Sequence, residues 1–298
     1  MSDPGAFLVG RATGDWPEAS VPAQDLLFAA IRKDGESLKG LVFAHCTFAN
    51  VSFKDVELNH CRFINCAFLN CYFRKTQLVG SSFVGCKFIS CEFPKARIQS
   101  CDFKYSRFDS CALTFDELEH SLPREPNLRE ALCHELAIAS DILGIYRDAR
   151  KYRLKAIEAR QEHLKAAVLS QSEWYESHYP GVRRVRALLA WVGHSLNGVI
   201  WGHGEKWQVL LRNLVILALG IFPLLLWLSR PGLSVGGDVP GIGELIWLSV
   251  TTMIPVSGLS AVEVTSLQAR VILVTEGFVG IVTAGLFVAL LVRGILRR

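Results

Sequence analysis

A large apolar residue returns every five positions between residues 41 and 113 of this 298-residue chain. A period of five matches neither the 3.6-residue turn of a helix nor the two-residue alternation of a strand. A fixed period kept over this length indicates a solenoid, in which each repeat packs on its neighbours. The fifteen positions are Phe43, Phe48, Phe53, Leu58, Phe63, Phe68, Phe73, Leu78, Phe83, Phe88, Phe93, Ile98, Phe103, Phe108 and Leu113.

The repeats include CTFAN, CRFIN, CAFLN, CYFRK, CKFIS, CEFPK and CDFKY. Over roughly a quarter of the chain they resemble the pentapeptide-repeat family, whose repeat reads A-(D/N)-L-x-x. The resemblance implies a right-handed quadrilateral β-helix over residues 41–114, with four pentapeptides per coil and just under four coils. The large residues would fill its centre, and residues 1–40 would cap it.

Eight cysteines lie two positions before a large repeat residue, and the ninth, Cys133, lies beyond the repeat. In the implied coil, residues twenty apart stack on one face, so the thiols form columns rather than a tetrahedral metal cluster. Cysteine is small and readily buried, and free thiols are typical of a reducing compartment. We therefore predict packing residues, with no metal and no cofactor. The eight are Cys46, Cys61, Cys66, Cys71, Cys86, Cys91, Cys101 and Cys111.

Some soluble members of the pentapeptide-repeat family are acidic mimics of DNA that act on topoisomerases. Residues 41–113 carry nine Lys/Arg against five Asp/Glu, and a basic solenoid is a poor copy of a polyanion. The chain shows no nucleophile–base pairing, no Gly-rich phosphate loop and no ligand spacing among its eight histidines. The sequence therefore predicts neither an enzyme nor a partner of nucleic acid.

Residues 115–207 are expected to form a helical linker. A helix beginning near Leu128 carries apolar residues spaced 4, 3, 4 and 3, which is a two-heptad seam. Two interpretations are open: the seam packs on the open end of the solenoid, which needs a cap, or it joins subunits. Further on, three arginines precede an apolar run with Trp191 and Trp201, as in a helix at a membrane surface. The seam is Leu132, Leu136, Ala139, Leu143 and Tyr146, and the arginines are Arg183, Arg184 and Arg186.

Residues 208–298 hold two apolar runs long enough to cross a bilayer, from about Val209 to Leu228 and from about Val271 to Val292. Basic residues flank the start of the first and the end of the second, so the positive-inside rule places both termini in the cytoplasm. A shorter apolar segment, Gly243–Leu259, lies between them. Such a segment is tolerated at membrane depth where it is buried in protein or lines a water-filled path. It predicts a re-entrant pore helix and loop.

This layout resembles the two-transmembrane, pore-loop channels related to potassium channels, and in particular the bacterial branch with cytoplasmic pentapeptide repeats. The similarity runs from about Trp201 to the C-terminus and includes WGHGE, SVTT, EGFVG and LLVR. It implies a multi-pass homotetramer in the bacterial inner membrane that passes inorganic ions along a path lined by the second span. Membrane lipid and further copies of the chain are then the expected partners.

The candidate filter departs from that family. A potassium filter reads T-x-G-Y-G, and its backbone carbonyls replace the water shell of the ion. Here the run is TMIPV, with β-branched residues at both glycine positions and a proline that restricts the backbone. We expect no potassium-type filter; a hydrophobic constriction, weak selectivity or an anion path remain open. The candidate pore residues are Thr251, Thr252, Met253, Ile254, Pro255, Val256 and Ser257.

One carboxylate, Glu276, lies inside the second span, where ionisable groups are costly and usually functional. Two roles are open: binding cations in the pore, or bracing the pore helix through a hydrogen bond to its backbone or to Ser249, Thr251 or Thr252.

Gly280 and Gly285 are candidates for a gate hinge, with close helix packing through small residues as the alternative. The expected fold is mixed: a β-helix, a helical linker and an α-helical pore domain over residues 208–298. The expected function is a tetrameric ion channel whose solenoid serves assembly or regulation. The other function that stays open is a membrane-anchored pentapeptide-repeat scaffold with a non-conducting pore loop.

Overall fold

A computed structural model describes residues 11–13, 16–17, 21–235, 237–254 and 262–296. The chain forms two compact units, Met1–Trp191 and Val192–Arg298. The first unit contains strands β1 (Arg11–Thr13), β2 (Ala23–Gln24), β3 (Leu26–Ala29), β4 (Ser37–Lys39), β5 (Val42–Ala44), β6 (Thr47–Ala49), β7 (Glu57–Asn59), β8 (Arg62–Ile64), β9 (Ala67–Leu69), β10 (Gln77–Val79), β11 (Ser82–Val84), β12 (Lys87–Ile89), β13 (Arg97–Gln99) and β14 (Arg107–Asp109). The α-helices among the described residues are α1 (Phe115–Leu118), α2 (Pro126–Ile142), α3 (Tyr146–Leu169), α4 (Glu173–His178), α5 (Val182–Trp201), α6 (Trp207–Ile216), α7 (Phe222–Leu228), α8 (Ile242–Met253) and α9 (Leu267–Leu296).

Parallel strands stack the first unit on itself in steps of twenty residues: Phe48 pairs with Phe68, and Phe68 with Phe88. Three sides of the stack are sheets, ordered β1-β3-β6-β9-β12-β14, β4-β7-β10-β13 and β2-β5-β8-β11. The fourth side is a row of single bridges that joins Arg32, Ser52, Tyr72, Glu92 and Ala112. This register confirms the predicted pentapeptide-repeat solenoid, with four repeats per coil and about four turns.

All fifteen large residues of the repeat are buried in the centre of the solenoid. Their rings stack from coil to coil: the Phe68 ring centroid lies 4.8 Å from that of Phe48 and 4.7 Å from that of Phe88. Such aromatic pairs add stability beyond the apolar area that they bury. The chain turns each corner at a residue with positive φ, even where that residue is Lys75 (φ 55°) or Lys95 (φ 60°). Sequence reasoning missed these corners because residues with a Cβ rarely adopt that conformation.

The solenoid begins earlier than the sequence pattern indicates. Residues 21–40, expected as a separate cap, form a coil of their own, in which Ala23 pairs with Phe43. Lys33 interrupts the apolar series there, which hid this coil from the five-residue pattern. Trp16 packs on this end, its ring centroid 5.3 Å from that of Phe43.

Helices α2 and α3 close the other end of the solenoid. Leu132 and Leu136 of α2 and Tyr152 of α3 belong to the same buried cluster as the last repeats. The Tyr152 hydroxyl donates to the Leu113 carbonyl oxygen at 3.2 Å. Leu143 lies beyond the end of α2 and is 41% exposed. The first half of the predicted seam therefore packs on the solenoid, as a cap requires.

Helix α4 is joined to α3 through a histidine. The two ring nitrogens of His163 lie 3.1 Å from the Tyr175 hydroxyl and 2.9 Å from the Tyr179 hydroxyl. Burial lowers the pKa of His163, so the neutral ring is favoured. One ring nitrogen then donates and the other accepts. Helix α5 follows and exposes apolar side chains along its length, among them Val182, Val185, Leu189, Val192, Leu196 and Val199.

The second unit holds two helices apolar enough to span a membrane. Helix α6, a π-helical segment (Leu217–Ile221) and α7 together form the first candidate span, and most of α9 forms the second, Leu267–Val292. Strands β15 (Leu233–Val235) and β16 (Val262–Val264) pair antiparallel between them. The Thr265 amide also donates to the Gly232 carbonyl oxygen at 2.9 Å. The end of the first span is therefore held beside the start of the second.

Candidate functional site

The short helix α8 lies beside α9, and its contacts advance along both helices together. Near its start, α8 packs on Ala269 in a buried apolar cluster. Further along, Ser249 contacts Glu276, and at the end the backbone of Met253 lies against Gly280. Twelve helical residues span about 18 Å, which is too short to cross a bilayer. Helix α8 therefore runs alongside the second span and stops near its middle.

Both ends of α8 have local causes. At the start, the Glu244 carboxylate accepts the Gly241 amide at 2.8 Å, which satisfies one of the free donors of the first turn. At the end, Ile254 is extended, with φ −95° and ψ 105°. The residue that follows is Pro255, and a residue before proline is disfavoured in helical geometry. The sequence thus sets the depth at which α8 stops.

Ser249 joins three helices. Its hydroxyl donates to the carbonyl oxygen of Ala218 in the first span at 2.9 Å and also contacts the Glu276 carboxyl of the second span. Ser249 and Glu276 are both 0% exposed. The structure thus brings Glu276 to one of the partners that the sequence suggested for it, inside the unit rather than on its surface. Sequence reasoning missed the contribution of Ala218, because a backbone carbonyl leaves no residue signature.

The two threonines that follow behave differently. The Thr251 hydroxyl donates to the carbonyl oxygens of Trp247 and Leu248, at 2.9 and 3.0 Å, and the Thr252 hydroxyl donates to that of Leu248 at 2.8 Å. All three bonds stay within α8, the usual arrangement for a hydroxyl in a helix. The contact across helices therefore belongs to Ser249.

The two candidate hinge glycines of α9, Gly280 and Gly285, have different surroundings. A Cβ added to Gly280 would overlap the backbone of Met253, whereas a Cβ added to Gly285 would meet nothing within 4 Å. Close packing therefore requires a glycine at 280 and gives no reason for one at 285.

The predicted filter is described only as far as Ile254, because Pro255, Val256 and Ser257 lie outside the described residues. Ile254 is 57% exposed, whereas Met253 is buried. An apolar cavity of about 200 Å³ adjoins the end of α8. It is lined by Leu210, Leu211, Leu214, Met253, Ile254, Gly280, Thr283, Ala284 and Phe287.

The nine cysteines are buried free thiols. Each repeat thiol donates to the carbonyl oxygen of the residue 23 positions earlier, as Cys66 does to Phe43 at 3.5 Å. Thr76 and Ser81 use their hydroxyls in the same way, at 2.7 and 2.9 Å. The thiols therefore form hydrogen bonds as well as filling space, a role that sequence reasoning missed.

Burial favours the protonated form at several of these cysteines. It raises the pKa of Cys101 to about 11 and that of Cys133 to about 12. The thiolate is the form that binds metals and attacks electrophiles. Within the described residues, no group of three or more His, Cys, Asp or Glu side chains is placed to hold a metal ion.

The outward faces of α9 are apolar. Exposed fractions are 58% at Val271, 73% at Val274, 68% at Phe278 and 60% at Ile281. These four residues are spaced 3, 4 and 3 along the helix, so they form one stripe. Side chains of this kind are stable when they face lipid or another apolar helix.

Comparison with known proteins concerns the solenoid. One family model matches residues 24–93, that of the SV2A/B/C luminal domain, which is less than half of the chain. No curated protein sequence matches the chain.

Three solved structures illustrate the structural similarity. A pentapeptide-repeat protein from the thylakoid lumen of Arabidopsis thaliana is 15% identical with a TM-score of 0.30, covering 38% of this chain and 76% of its own. HetL, a pentapeptide-repeat protein involved in heterocyst differentiation regulation in the cyanobacterium Nostoc, is 11% identical with a TM-score of 0.20, covering 32% and 42%. QnrB1, a plasmid-mediated fluoroquinolone resistance protein, is 15% identical with a TM-score of 0.21, covering 34% and 62%. The repeat assignment for this chain is carried by the twenty-residue register of its own strands.

Proposed function

We propose that this chain is one subunit of a homotetrameric ion channel, in which α8 is a re-entrant pore helix. The observation that carries the proposal is the depth of α8. It is apolar, it lies between the two candidate spans, and its last residues meet α9 near Gly280. A backbone that stops inside the hydrocarbon layer needs protein or a water-filled path around it. A path enclosed by several copies supplies both.

The apolar stripe of α9 supports association of copies. Its 3-4-3 spacing is that of a helix that packs along its length on another helix. The stripe begins at Val271 and continues through Phe278 to Ile281, on a different face from the buried Glu276. In the tetramer, the second spans would then contact each other and surround the path for inorganic ions.

The segment after α8 argues against a potassium-type filter. Thr252–Val256 contains no glycine, and Thr252 gives its hydroxyl proton to its own helix. Ile254 is the more exposed apolar side chain at this point. A ring of such side chains from four copies would form a hydrophobic constriction, which conducts only when it is wetted.

The solenoid is proposed to lie in the cytoplasm, where it assembles or regulates the channel. Arginines at 293, 297 and 298 follow the second span, which favours cytoplasmic termini by the positive-inside rule. The nine free thiols agree with a reducing compartment. The matching family model is described as a luminal domain, so the side of the membrane is a point for direct measurement.

Conduction is tested with the purified full chain in planar bilayers, after native mass spectrometry has verified tetramers. Gradients of potassium, sodium and chloride give reversal potentials, and these identify the ion. We expect currents without strong potassium selectivity, and larger currents when Ile254 and Val256 are both replaced by glycine. Silent tetramers, even with the double glycine substitution, would overturn the proposal and favour the membrane-anchored scaffold.

Sidedness is tested with single cysteines, because the native thiols are buried and give little background. One variant is Val239→Cys in the connection between the spans, and the matched one is Tyr105→Cys in the solenoid; these positions are 61% and 69% exposed. An impermeant maleimide added to intact cells should label the first and spare the second. Labelling of position 105 alone would place the solenoid on the outer side.

A further inference from the structure

One carbonyl group in the first span, that of Ala218, accepts no hydrogen bond from the backbone of its own helix. In an α-helix the Phe222 amide would bond to Ala218, but in the π-helical segment it bonds to Leu217 instead. The residue that could reach Ala218 in π-helical register is Pro223, which has no N–H. Pro223 and the π-helical segment together therefore leave the Ala218 carbonyl without a backbone donor.

The Ser249 hydroxyl supplies the missing donor: its oxygen lies 2.9 Å from the Ala218 carbonyl oxygen. An unpaired carbonyl inside a membrane is costly, so the demand for a donor at this depth is strong. Ser249 is buried and comes from a different helix, whereas the neighbouring Thr251 and Thr252 bond within α8. The π-helical register of the first span leaves the Ala218 carbonyl without a backbone donor. The Ser249 hydroxyl therefore bonds to that carbonyl rather than to its own helix.

We infer that Pro223 and the π-helical segment position the short helix, by reserving the Ala218 carbonyl for Ser249. The reserved carbonyl fixes the depth of α8 relative to the first span, and the contact of Ser249 with Glu276 fixes it relative to the second. In a channel, this sets the level at which the segment after Ile254 begins. The inference rests on the proposed function only for that last consequence.

A backbone N–H and the Ser249 hydroxyl are alternative donors to the Ala218 carbonyl, and each can be altered separately. Replacing Pro223 with alanine supplies an N–H, so the Ala218 carbonyl gains a backbone donor in either helical register. Ser249 is then displaced although its hydroxyl is intact. Replacing Ser249 with alanine removes the other partner and leaves the π-helical segment unchanged. Both changes break the bond between Ser249 and Ala218, and Ser249→Ala also removes the contact with Glu276, so the double variant should be no more perturbed than Ser249→Ala alone.

Hydrogen exchange of the full chain in detergent, followed by mass spectrometry of peptides covering 245–254, measures how firmly α8 is held. We expect Pro223→Ala to raise the exchange rate of these amides about tenfold, the size of one hydrogen bond, and Ser249→Ala to raise it at least as much. The double variant should match Ser249→Ala, whereas Ser249→Thr, which keeps the hydroxyl, should exchange slowly, as the parent does. Matched controls are Pro231→Ala, in the connection, and Thr275→Ala, whose hydroxyl bonds within α9; both should exchange as the parent does.

Unchanged exchange in Pro223→Ala, or effects of the two substitutions that multiply in the double variant, would overturn the inference. The measurement needs no ion flow, so its failure is separate from failure of the channel proposal. Bilayer recordings then give a second readout: displaced α8 should lower the open probability in both single variants. Silent tetramers with the expected exchange pattern would overturn the channel and leave the positioning role standing.

Discussion

The solenoid and the second unit, called the membrane unit below because it holds the two candidate spans, satisfy their polar groups in different ways. In the solenoid, backbone bonds join each coil to the next, and thiols or hydroxyls repeat one bond at regular intervals, as at Cys66 and Cys91. In the membrane unit, one serine joins both spans to the short helix. Loss of one repeated bond leaves many similar ones in place, whereas Ser249 has no counterpart of this kind among the described residues.

The two regions also differ in what they leave exposed. The aromatic residues of the solenoid are packed in its centre, and Phe68 is 0% exposed. In the membrane unit Phe278 is 68% exposed. The solenoid therefore completes its own core, while the membrane unit leaves large apolar side chains exposed. The comparison teaches that stability and assembly can be altered separately in this chain.

Removing a ring from the solenoid should give the largest effect. Phe68→Ala deletes a ring stacked on Phe48 and Phe88, and a buried Phe→Ala change costs about 3–5 kcal/mol. Maleimide labelling of the cysteines during urea titration reports unfolding of the solenoid directly, because the thiols are buried until it opens. The control Tyr105→Ala, at a 69% exposed position, should cost about 0.5 kcal/mol or less. Equal costs for the two variants would contradict the closed-core description.

Gly280→Val should disrupt the packing of α8 on α9 in the second unit. A side chain there overlaps the Met253 backbone, and overpacking of this kind costs about 1–3 kcal/mol. We expect α8 to be displaced, with loss of tetramers on native gels and no change in thiol labelling. Gly285→Val is the matched control, because open space surrounds that position. A severe defect in the control instead would support a hinge role for Gly285.

Changing one thiol tests how much a single thiol–carbonyl hydrogen bond stabilises the solenoid. Cys66→Val leaves the Phe43 carbonyl without its side-chain donor, which costs about 1–3 kcal/mol for a buried group. Cys66→Ser keeps a donor of the kind that Ser81 already provides, so urea unfolding should shift less. A valine variant at least as stable as the serine variant would show that the side-chain hydrogen bond does not stabilise the solenoid.

Glu276→Gln should have a smaller effect, confined to assembly. The amide keeps a hydrogen-bonding partner for Ser249 but replaces one carboxyl oxygen with an NH₂ group, a change of about 1 kcal/mol. We expect ion selectivity in bilayers to stay nearly unchanged, while tetramers dissociate at a lower temperature than in the parent. A large change in reversal potential would place Glu276 in the ion path and refute its bracing role.

The smallest effect should appear at the α3–α4 junction on acidification. Burial lowers the pKa of His163 in the folded state, so the unfolded state binds more protons below its ordinary value of about 6.5. The contribution of His163 to stability is therefore complete above that pH and declines below it. Thermal melts at pH 8 and pH 5.5 should differ less for His163→Gln than for the parent, with His134→Gln as the exposed control. An unchanged difference would refute the assignment.

The fold was predictable where the sequence repeats and where composition is extreme. The period of five located the core, and long apolar runs located both spans. The coil at residues 21–40 was missed because Lys33 interrupts the series, although backbone pairing continues through it.

The site was predictable only as residue types. Glu276 was identifiable as a carboxylate in an apolar run, and Ser249 as one of three hydroxyls near it. The choice among those hydroxyls depends on a carbonyl of the first span, and on a helical register that only the three-dimensional structure shows. Likewise, the different surroundings of Gly280 and Gly285 follow from packing rather than from sequence.

The direction of the side-chain bonds in the solenoid bears on how the chain is made. Every repeat thiol donates to a residue 23 positions earlier, so each coil completes the carbonyls of the coil synthesised before it. Each carbonyl is therefore completed as soon as the next coil has been added. Domains commonly fold as they emerge, starting from the N-terminus. The solenoid is thus built to close coil by coil, and to be sealed by α2 before the first span at residue 207 is translated.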